Sequence, residues 1–293
     1  MQLATTILLY GRTNAGKSTQ IGRLAEHVFA TTKKKTRLYT ADKGGVDPIK
    51  PYIDLGIIEC VDIQGTDPFI FLNKAVRGQV RKDGKWVEGK SDDVGFYAFE
   101  SLRGIAEALM LNMAQKSAQG VNIGGGSNIS FPVSGDDTTL KVSGSNMAHF
   151  GVAQARMTEE VWESQKLPAQ YILWTSSVSK DDDTTAGGKV LGPDVIGKAL
   201  TAEVPRWFNY TFRLDVIPAQ NSVAERHLLY MGTHVDVGAG NAAGMGNIRR
   251  PLDAPALDLK NNVIEPADLV KALTMLQGGQ EVATSAIRKR LGL

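Results

Sequence analysis

An α/β fold with a mostly parallel central sheet flanked by helices is predicted by two features of this 293-residue sequence. Short runs of β-branched and aromatic residues alternate with stretches of helical spacing, which is the order of a parallel sheet with crossover helices. A glycine-bearing loop joins the first such pair, because the apolar run 3–10 ends at Gly11 and helical spacing begins at Lys17. With 42% hydrophobic and 22% charged residues, the composition is that of an ordinary globular chain.

The first helix and the two strands after it follow from apolar spacing. The helix from Lys17 carries one apolar stripe, formed by Ile21, Leu24, Ala25 and Val28. After a basic loop, the apolar runs 37–41 and 56–61 predict two more strands of the same sheet. A compact turn and helix over 47–54 fits between them.

A hairpin is predicted in the next segment. A helix over 66–76 precedes strand-like flanks on both sides of Asp83-Gly84, a dipeptide typical of tight hairpin turns. We define the insertion 74–92 as the basic hairpin, because residues 74–90 hold six basic and two acidic side chains. The strand 94–99 follows and leads into a helix of about 16 residues from Ser101, judged by helical apolar spacing. Its apolar residues are Leu102, Ile105, Ala106, Leu109 and Met113.

Polar, glycine-bearing segments interrupt the second half of the chain. Residues 117–147 predict a long, partly hairpin-like loop, and residues 177–193 predict a flexible loop. The regular elements expected around them are helices at 152–165 and 193–201 and strands at 170–175, 208–217 and 226–236. A last helix begins near Pro266, with Leu269, Leu273 and Leu276 in line. We therefore expect one domain over 1–265, followed by a C-terminal helix and basic tail over 266–293.

Composition excludes several classes of site and protein. The single cysteine, Cys60, excludes an internal disulfide and a cysteine-based zinc site, and the four histidines lack metal-ligand spacing. The net charge of +2 carries no nucleic-acid signal by itself. No window approaches the ~18 apolar residues of a membrane span, and no basic leader with an apolar block begins the sequence. We expect a soluble protein that is not exported.

The sequence from Gly11 to Ser18 fills every specified position of the phosphate-binding loop G-x-x-x-x-G-K-[ST], between a strand and a helix. In such a loop, successive backbone N–H groups surround a β-phosphate at the positive end of the helix. Lys17 neutralises charge on the β- and γ-phosphates, and the Ser18 hydroxyl is a ligand of Mg²⁺. The predicted nucleotide-binding residues are Gly11, Arg12, Thr13, Asn14, Ala15, Gly16, Lys17, Ser18 and Thr19.

Glu100, which ends the strand 94–99, is the predicted carboxylate of the metal site. The alternative is an acid favoured at a helix N-terminus by the helix dipole. Asp42, at the end of the strand 37–41, is the predicted base for the attacking water. It is preferred to Glu59, which lies inside a strand. The alternative is that Asp42 only forms a turn. Thr175 and Ser176 end the strand 170–175, where they contact the γ-phosphate or its water or simply terminate the strand.

The order of these motifs resembles the core of the RecA-like P-loop ATPases, in particular those of bacteriophages that assist single-strand annealing and recombination. The quoted segments are the loop 11–18, then Tyr39–Pro48, Phe96–Leu102 and Leu173–Thr175, then the stretches 190–200 and 204–208. The resemblance spans residues 3 to about 252. It implies ATP hydrolysis with Mg²⁺, a homo-oligomeric ring or filament, action on single-stranded DNA, and a place in the cytoplasm of the bacterial host. It also implies that Arg249 and Arg250 reach the γ-phosphate of a neighbouring subunit.

Two other functions fit the loop motif less well. An AAA-type ATPase that remodels or loads a protein partner carries a lid of several helices, and only residues 266–293 remain for one. A small-molecule kinase needs an arginine-rich lid near the loop, which the sequence lacks. Within the basic hairpin, Trp86 either stacks on an unpaired base or packs on the domain beside solvated lysines.

Overall fold

The computed structural model describes ten stretches of the chain, namely residues 4–40, 44–62, 67–118, 128–132, 139–143, 147–182, 189–217, 225–233, 263–264 and 267–276. These hold thirteen strands and seven α-helices. The strands are β1 Thr5–Gly11, β2 Lys35–Thr40, β3 Ile58–Asp62, β4 Val80–Lys82, β5 Lys85–Val87, β6 Val94–Glu100, β7 Asn128–Pro132, β8 Thr139–Ser143, β9 Tyr171–Asp182, β10 Lys189–Asp194, β11 Tyr210–Ile217, β12 Glu225–Thr233 and β13 Val263–Ile264.

The helices lie mostly in the crossovers between parallel strands. They are α1 Lys17–Thr32, α2 Lys50–Asp54, α3 Pro68–Ala75, α4 Leu102–Ala118, α5 Met147–Ser164, α6 Lys198–Glu203 and α7 Leu269–Leu276. Two 3-10 helices, Gly44–Ile49 and Val204–Trp207, complete the described elements. None of the described helices is long and apolar enough to cross a lipid bilayer.

The central sheet has the order β13-β12-β11-β1-β9-β6-β2-β3, with β10 paired to β9. The strands from β11 to β3 in this order are parallel, and β12, β13 and β10 add antiparallel pairs. All seven residues of β6 are buried, as expected for a parallel strand covered on both faces. The predicted fold class is therefore confirmed.

Two hydrophobic clusters cover the faces of this sheet. One joins α3, α4 and α5 to the sheet, and the other joins α1, α2 and α7 to the opposite face. The first contains an aromatic stack across three strands, with ring centroids 5.3 Å apart for Tyr39 and Phe99 and 4.4 Å apart for Phe99 and Trp174. Trp174 Nε1 also donates to the buried Ser164 Oγ at 3.1 Å. The stack fixes neighbouring strands near their carboxyl ends.

The predicted apolar stripes are the buried faces of the observed helices. All four stripe residues of α1 and all five of α4 are buried in the clusters. On α7, which begins at Leu269, the predicted Leu269 and Leu273 are buried. Gln20 of α1 clamps the start of this helix, because its Nε2 donates to Ala267 O at 2.9 Å and its Oε1 accepts from Leu269 N at 2.8 Å.

Three predicted boundaries were wrong. The flexible loop expected over 177–193 instead contributes the arms of an antiparallel hairpin, since β9 continues to Asp182 and pairs with β10. Strand pairing satisfies the backbone of these polar residues, so their composition does not require a loop. The helix expected over 193–201 begins only at Lys198, after Gly197 with φ of 83°. Similarly, α5 begins at Met147 instead of residue 152, whereas β7 and β8 form the hairpin expected inside 117–147.

The basic hairpin forms as predicted, but Trp86 packs on the domain. Asp83 and Gly84 have φ of 48° and 76°, the positive values that a tight hairpin turn requires. The Trp86 ring is half-buried with its centroid 6.0 Å from that of Phe71, at the edge of the first cluster. Of the two alternatives for Trp86, base stacking or packing on the domain, the structure has the second. Arg81, Lys82 and Lys85 are exposed.

A buried arginine holds the base of this hairpin. Arg37 is only 3% exposed, and its Nη1 donates to Gly78 O at 2.8 Å and its Nη2 to Lys90 O at 3.3 Å. Arg37 Nε also contacts Glu59 Oε2 at 2.8 Å, within the β2–β3 pair. Glu59 therefore lies inside a strand, as predicted, and forms an ion pair with Arg37.

Candidate functional site

The loop between β1 and α1 has the geometry of an anion-binding turn. Asn14 and Gly16 have φ of 63° and 100°, which bends the chain back between them. Ala15 is buried and its N–H donates to Arg12 O at 3.1 Å, closing the turn. The loop ends at the N-terminus of the 16-residue helix α1, where the helix dipole favours an anion.

Gly11 has a steric reason to be glycine. A Cβ atom on Gly11 would lie 2.6 Å from Leu214 O and 2.9 Å from Leu214 Cβ on the neighbouring strand β11. These contacts are shorter than packed atoms tolerate, and the first is to backbone. The close approach of β1 and β11 therefore sets the point at which the loop leaves the sheet.

Lys17 places its ammonium group on the loop itself. Its Nζ donates to Gly11 O at 3.0 Å and to Arg12 O at 3.1 Å. The positive charge therefore lies beside the turn, where a bound phosphate would meet it. Of the other predicted nucleotide-binding residues, Arg12, Thr13, Asn14 and Thr19 are exposed at the same edge.

The structure brings together Ser18 and Glu100, the two predicted metal ligands. Ser18 Oγ donates to Glu100 Oε1 at 2.7 Å, although the residues are 82 positions apart in sequence. Glu100 is 5% exposed and ends β6, while Ser18 lies in the first turn of α1. The contact crosses the end of β9, which separates β6 from β1 in the sheet.

The chemistry of this pair fits Mg²⁺. A hydroxyl and a carboxylate are hard oxygen donors, and Mg²⁺ is typically held by one or two protein groups together with waters and substrate phosphates. In the described part of the chain, no group of three or more His, Cys, Asp or Glu residues forms another candidate metal site. If Mg²⁺ is bound with a nucleotide, Ser18 and Glu100 are the residues that would hold it.

Thr175 and Ser176 lie at the same edge, with their hydroxyls engaged by the protein. Both are fully buried. Thr175 Oγ1 accepts from the Ser101 N–H at 2.9 Å, and Ser176 Oγ donates to Asp194 O at 2.6 Å. The structure therefore connects Thr175 to the residue that follows Glu100.

Sequence reasoning missed Ser101. It has φ of 75°, and its Oγ accepts from Gly104 N at 2.9 Å, which caps the start of α4. A serine directly before the first apolar residue of a helix is a known N-cap signal and was available in the sequence. No sequence signal predicts the left-handed backbone of Ser101.

Three predicted catalytic residues, Asp42, Arg249 and Arg250, lie outside the described residues. The structural description of the site therefore consists of the loop 11–19, Glu100, Ser101 and Thr175.

Comparisons with known proteins found likeness at the level of structure. No protein-family model matches the chain, and no curated protein sequence matches it. Among solved structures, the chain is similar to a KaiC-like protein from the hyperthermophilic archaeon Pyrococcus horikoshii, with 14% sequence identity and a TM-score of 0.42. The likeness covers 80% of this chain and 81% of that protein.

We predict that Gly11→Ala destabilises the protein by about 1–3 kcal/mol, because the new Cβ atom would meet the Leu214 backbone. Gly151→Ala is the matched control, since no atom lies within 4 Å of its added Cβ in the exposed face of α5. Alanine should stabilise that helix by about 0.5–1 kcal/mol. Urea unfolding measures both, and equal stability of the two variants would contradict the steric account.

Proposed function

We propose that this chain is a RecA-like P-loop ATPase that binds ATP with Mg²⁺ and hydrolyses it. The observation that carries the proposal is the 2.7 Å contact between Ser18 and Glu100 beside the loop that holds Lys17. A phosphate-binding turn, an ammonium group and a buried carboxylate meet at one edge of a parallel sheet. This is the edge at which ligands bind in open α/β folds.

Each residue has a distinct chemical role in this proposal. The loop N–H groups hold the β-phosphate, and Lys17 leaves its two carbonyl partners to neutralise charge on the β- and γ-phosphates. Ser18 and Glu100 hold the Mg²⁺, which would supply further neutralising charge when bound. Asp42 is the proposed base that accepts a proton from the attacking water.

Two substitutions separate binding from hydrolysis. Lys17→Ala should abolish ATP hydrolysis and leave the fold intact, because it removes charge beside the phosphates and little from the core. Glu100→Gln should retain ATP binding measured in EDTA and lose turnover by ~10²-fold or more, since the amide fills the space without the charge. Phosphate release and binding of a fluorescent ATP analogue measure the two effects.

Lys33→Ala is the control for the charge removed, because Lys33 is an exposed lysine at the opposite end of α1. It should hydrolyse ATP like the wild type. Wild-type turnover by folded Lys17→Ala protein would contradict the nucleotide assignment. Equal loss of binding and hydrolysis in Glu100→Gln would contradict the metal role of Glu100.

We also propose a homo-oligomer, a ring or a filament, in which Arg249 and Arg250 reach the nucleotide of the neighbouring subunit. An arginine supplied in trans contributes ~10³-fold or more to the rate of phosphoryl transfer. Mixing a Lys17→Ala protein with an Arg249→Ala/Arg250→Ala protein should then restore activity at mixed interfaces. Specific activity that stays constant on dilution through the assembly range, with no rescue on mixing, would overturn this arrangement.

Single-stranded DNA is the proposed substrate on which the ATPase acts. The proposed process is annealing or recombination, in the cytoplasm of a phage-infected bacterium. The exposed cations Arg81, Lys82 and Lys85 on the basic hairpin support it, with Asp83 as the acid at the turn. Charged side chains of this kind bind phosphates without reading sequence.

The hairpin variants test this part of the proposal. Lys82→Ala/Lys85→Ala should flatten the dependence of log affinity on log salt by up to ~2 units, because each lysine neutralises about one phosphate. Trp86→Ala, the control on the same hairpin, should lower stability by about 1–3 kcal/mol and leave the salt slope unchanged, since its ring packs on Phe71. If the wild type does not bind single-stranded DNA at low salt, the alternative of an ATPase that remodels or loads a protein partner is favoured.

A further inference from the structure

We propose that Ser101 and Thr175 form a positioning pair that holds the Glu100 carboxylate against Ser18. Neither residue acts on the nucleotide directly in this scheme. The inference rests on the proposed function, because it concerns the residues proposed to hold Mg²⁺ with ATP.

The first observation is the backbone of Ser101. The chain turns from β6 into α4 at this residue with φ of 75°, a left-handed conformation that serine seldom adopts. Two hydrogen bonds hold it there, from its N–H to Thr175 Oγ1 and from Gly104 N to its Oγ, both at 2.9 Å. Non-glycine residues keep such conformations where the surroundings fix them, and these positions cluster at functional sites.

The second observation is the placement of Thr175. It is fully buried on β9, the strand between β6 and β1, and it lies in register with Leu9 of β1. The hydrogen bond from Ser101 therefore ties the end of the Glu100 strand to the strand that borders the phosphate-binding loop. Glu100 itself is in register with Thr40 of β2 on its other side. The backbone on both sides of its side chain is thus fixed.

The third observation is the reach that Glu100 needs. Neighbouring strands lie about 4.8 Å apart, so a carboxylate on β6 must cross the width of β9 to meet a residue that follows β1. A glutamate side chain spans more than an aspartate but has one more rotatable bond to order. A rigid backbone at Glu100 and Ser101 limits the positions that the carboxylate samples.

A direct role for Thr175 on the γ-phosphate predicts a different result. Such a role would persist without the Glu100 carboxylate, whereas a positioning role acts only through it. The complete burial of Thr175 and the bond that its Oγ1 accepts favour positioning.

The test measures the affinity of a fluorescent, non-hydrolysable ATP analogue with Mg²⁺ and with EDTA. We define the Mg²⁺ gain as the ratio of the two dissociation constants. Thr175→Val should lower this gain by about tenfold, as losses of supporting residues around a metal do, and leave affinity in EDTA unchanged. Thr175→Ser, which keeps the acceptor, should restore the gain. In a Glu100→Gln background, Thr175→Val should change the gain by less than about twofold, since the two substitutions act through one carboxylate.

Ser164→Ala is the control for stability, because it also removes a buried hydroxyl next to β9, the acceptor of Trp174 Nε1. It should lower the melting temperature and leave the Mg²⁺ gain unchanged. If Thr175→Val does not fold by circular dichroism, Thr175→Cys is used in its place, since a thiol is a weak acceptor.

The outcomes separate the two proposals. A wild type with no Mg²⁺ gain would contradict the proposed function itself. A wild type with a clear gain that Thr175→Val, or Thr175→Cys in its place, leaves intact would overturn the positioning pair alone. A loss that persists undiminished in the Glu100→Gln background would also overturn it.

Discussion

The contact between Ser18 and Glu100 depends on three strands lying in one order and one register. β1 carries the loop, β6 carries the carboxylate, and β9 lies between them. A shift of β6 by one residue would turn Glu100 to the opposite face of the sheet, because side chains alternate along a strand. A buried carboxylate is also costly unless it is paired or bound to a cation. The strand order and register that form the core therefore also fix the geometry of the site.

The aromatic stack on one face of the sheet holds the strands in this register. Tyr39, Phe99 and Trp174 are register partners on β2, β6 and β9, one residue before the strand positions that form the site. Stacked aromatic pairs contribute about 0.5–1.5 kcal/mol each beyond their burial and resist sliding. Packing just beneath the site thus fixes the register on which Glu100 depends. On the other face, the Gln20 clamp ties α7 to the first turns of α1.

Features encoded over a few residues were predictable from sequence. The loop motif, the stripes of α1 and α4 and the Asp83-Gly84 turn each follow from short spacing rules, and the structure has them all. The position of Glu100 beside the loop was predictable, because the carboxyl ends of parallel strands meet at one edge of the sheet. The β9–β10 hairpin was missed because polar residues there are satisfied by pairing with each other, which composition does not report. The left-handed backbone of Ser101 and the packing of Trp86 on Phe71 depend on distant contacts.

The most direct measurement of the central claim is the affinity of Mn²⁺, used as a paramagnetic substitute for Mg²⁺, in the complex with a non-hydrolysable ATP analogue. Electron paramagnetic resonance reports free and bound Mn²⁺ in wild type, Ser18→Ala and Glu100→Gln proteins. If these two residues hold the metal, each substitution should weaken Mn²⁺ binding in the complex by about tenfold or more. Equal Mn²⁺ affinity in all three proteins would contradict the account.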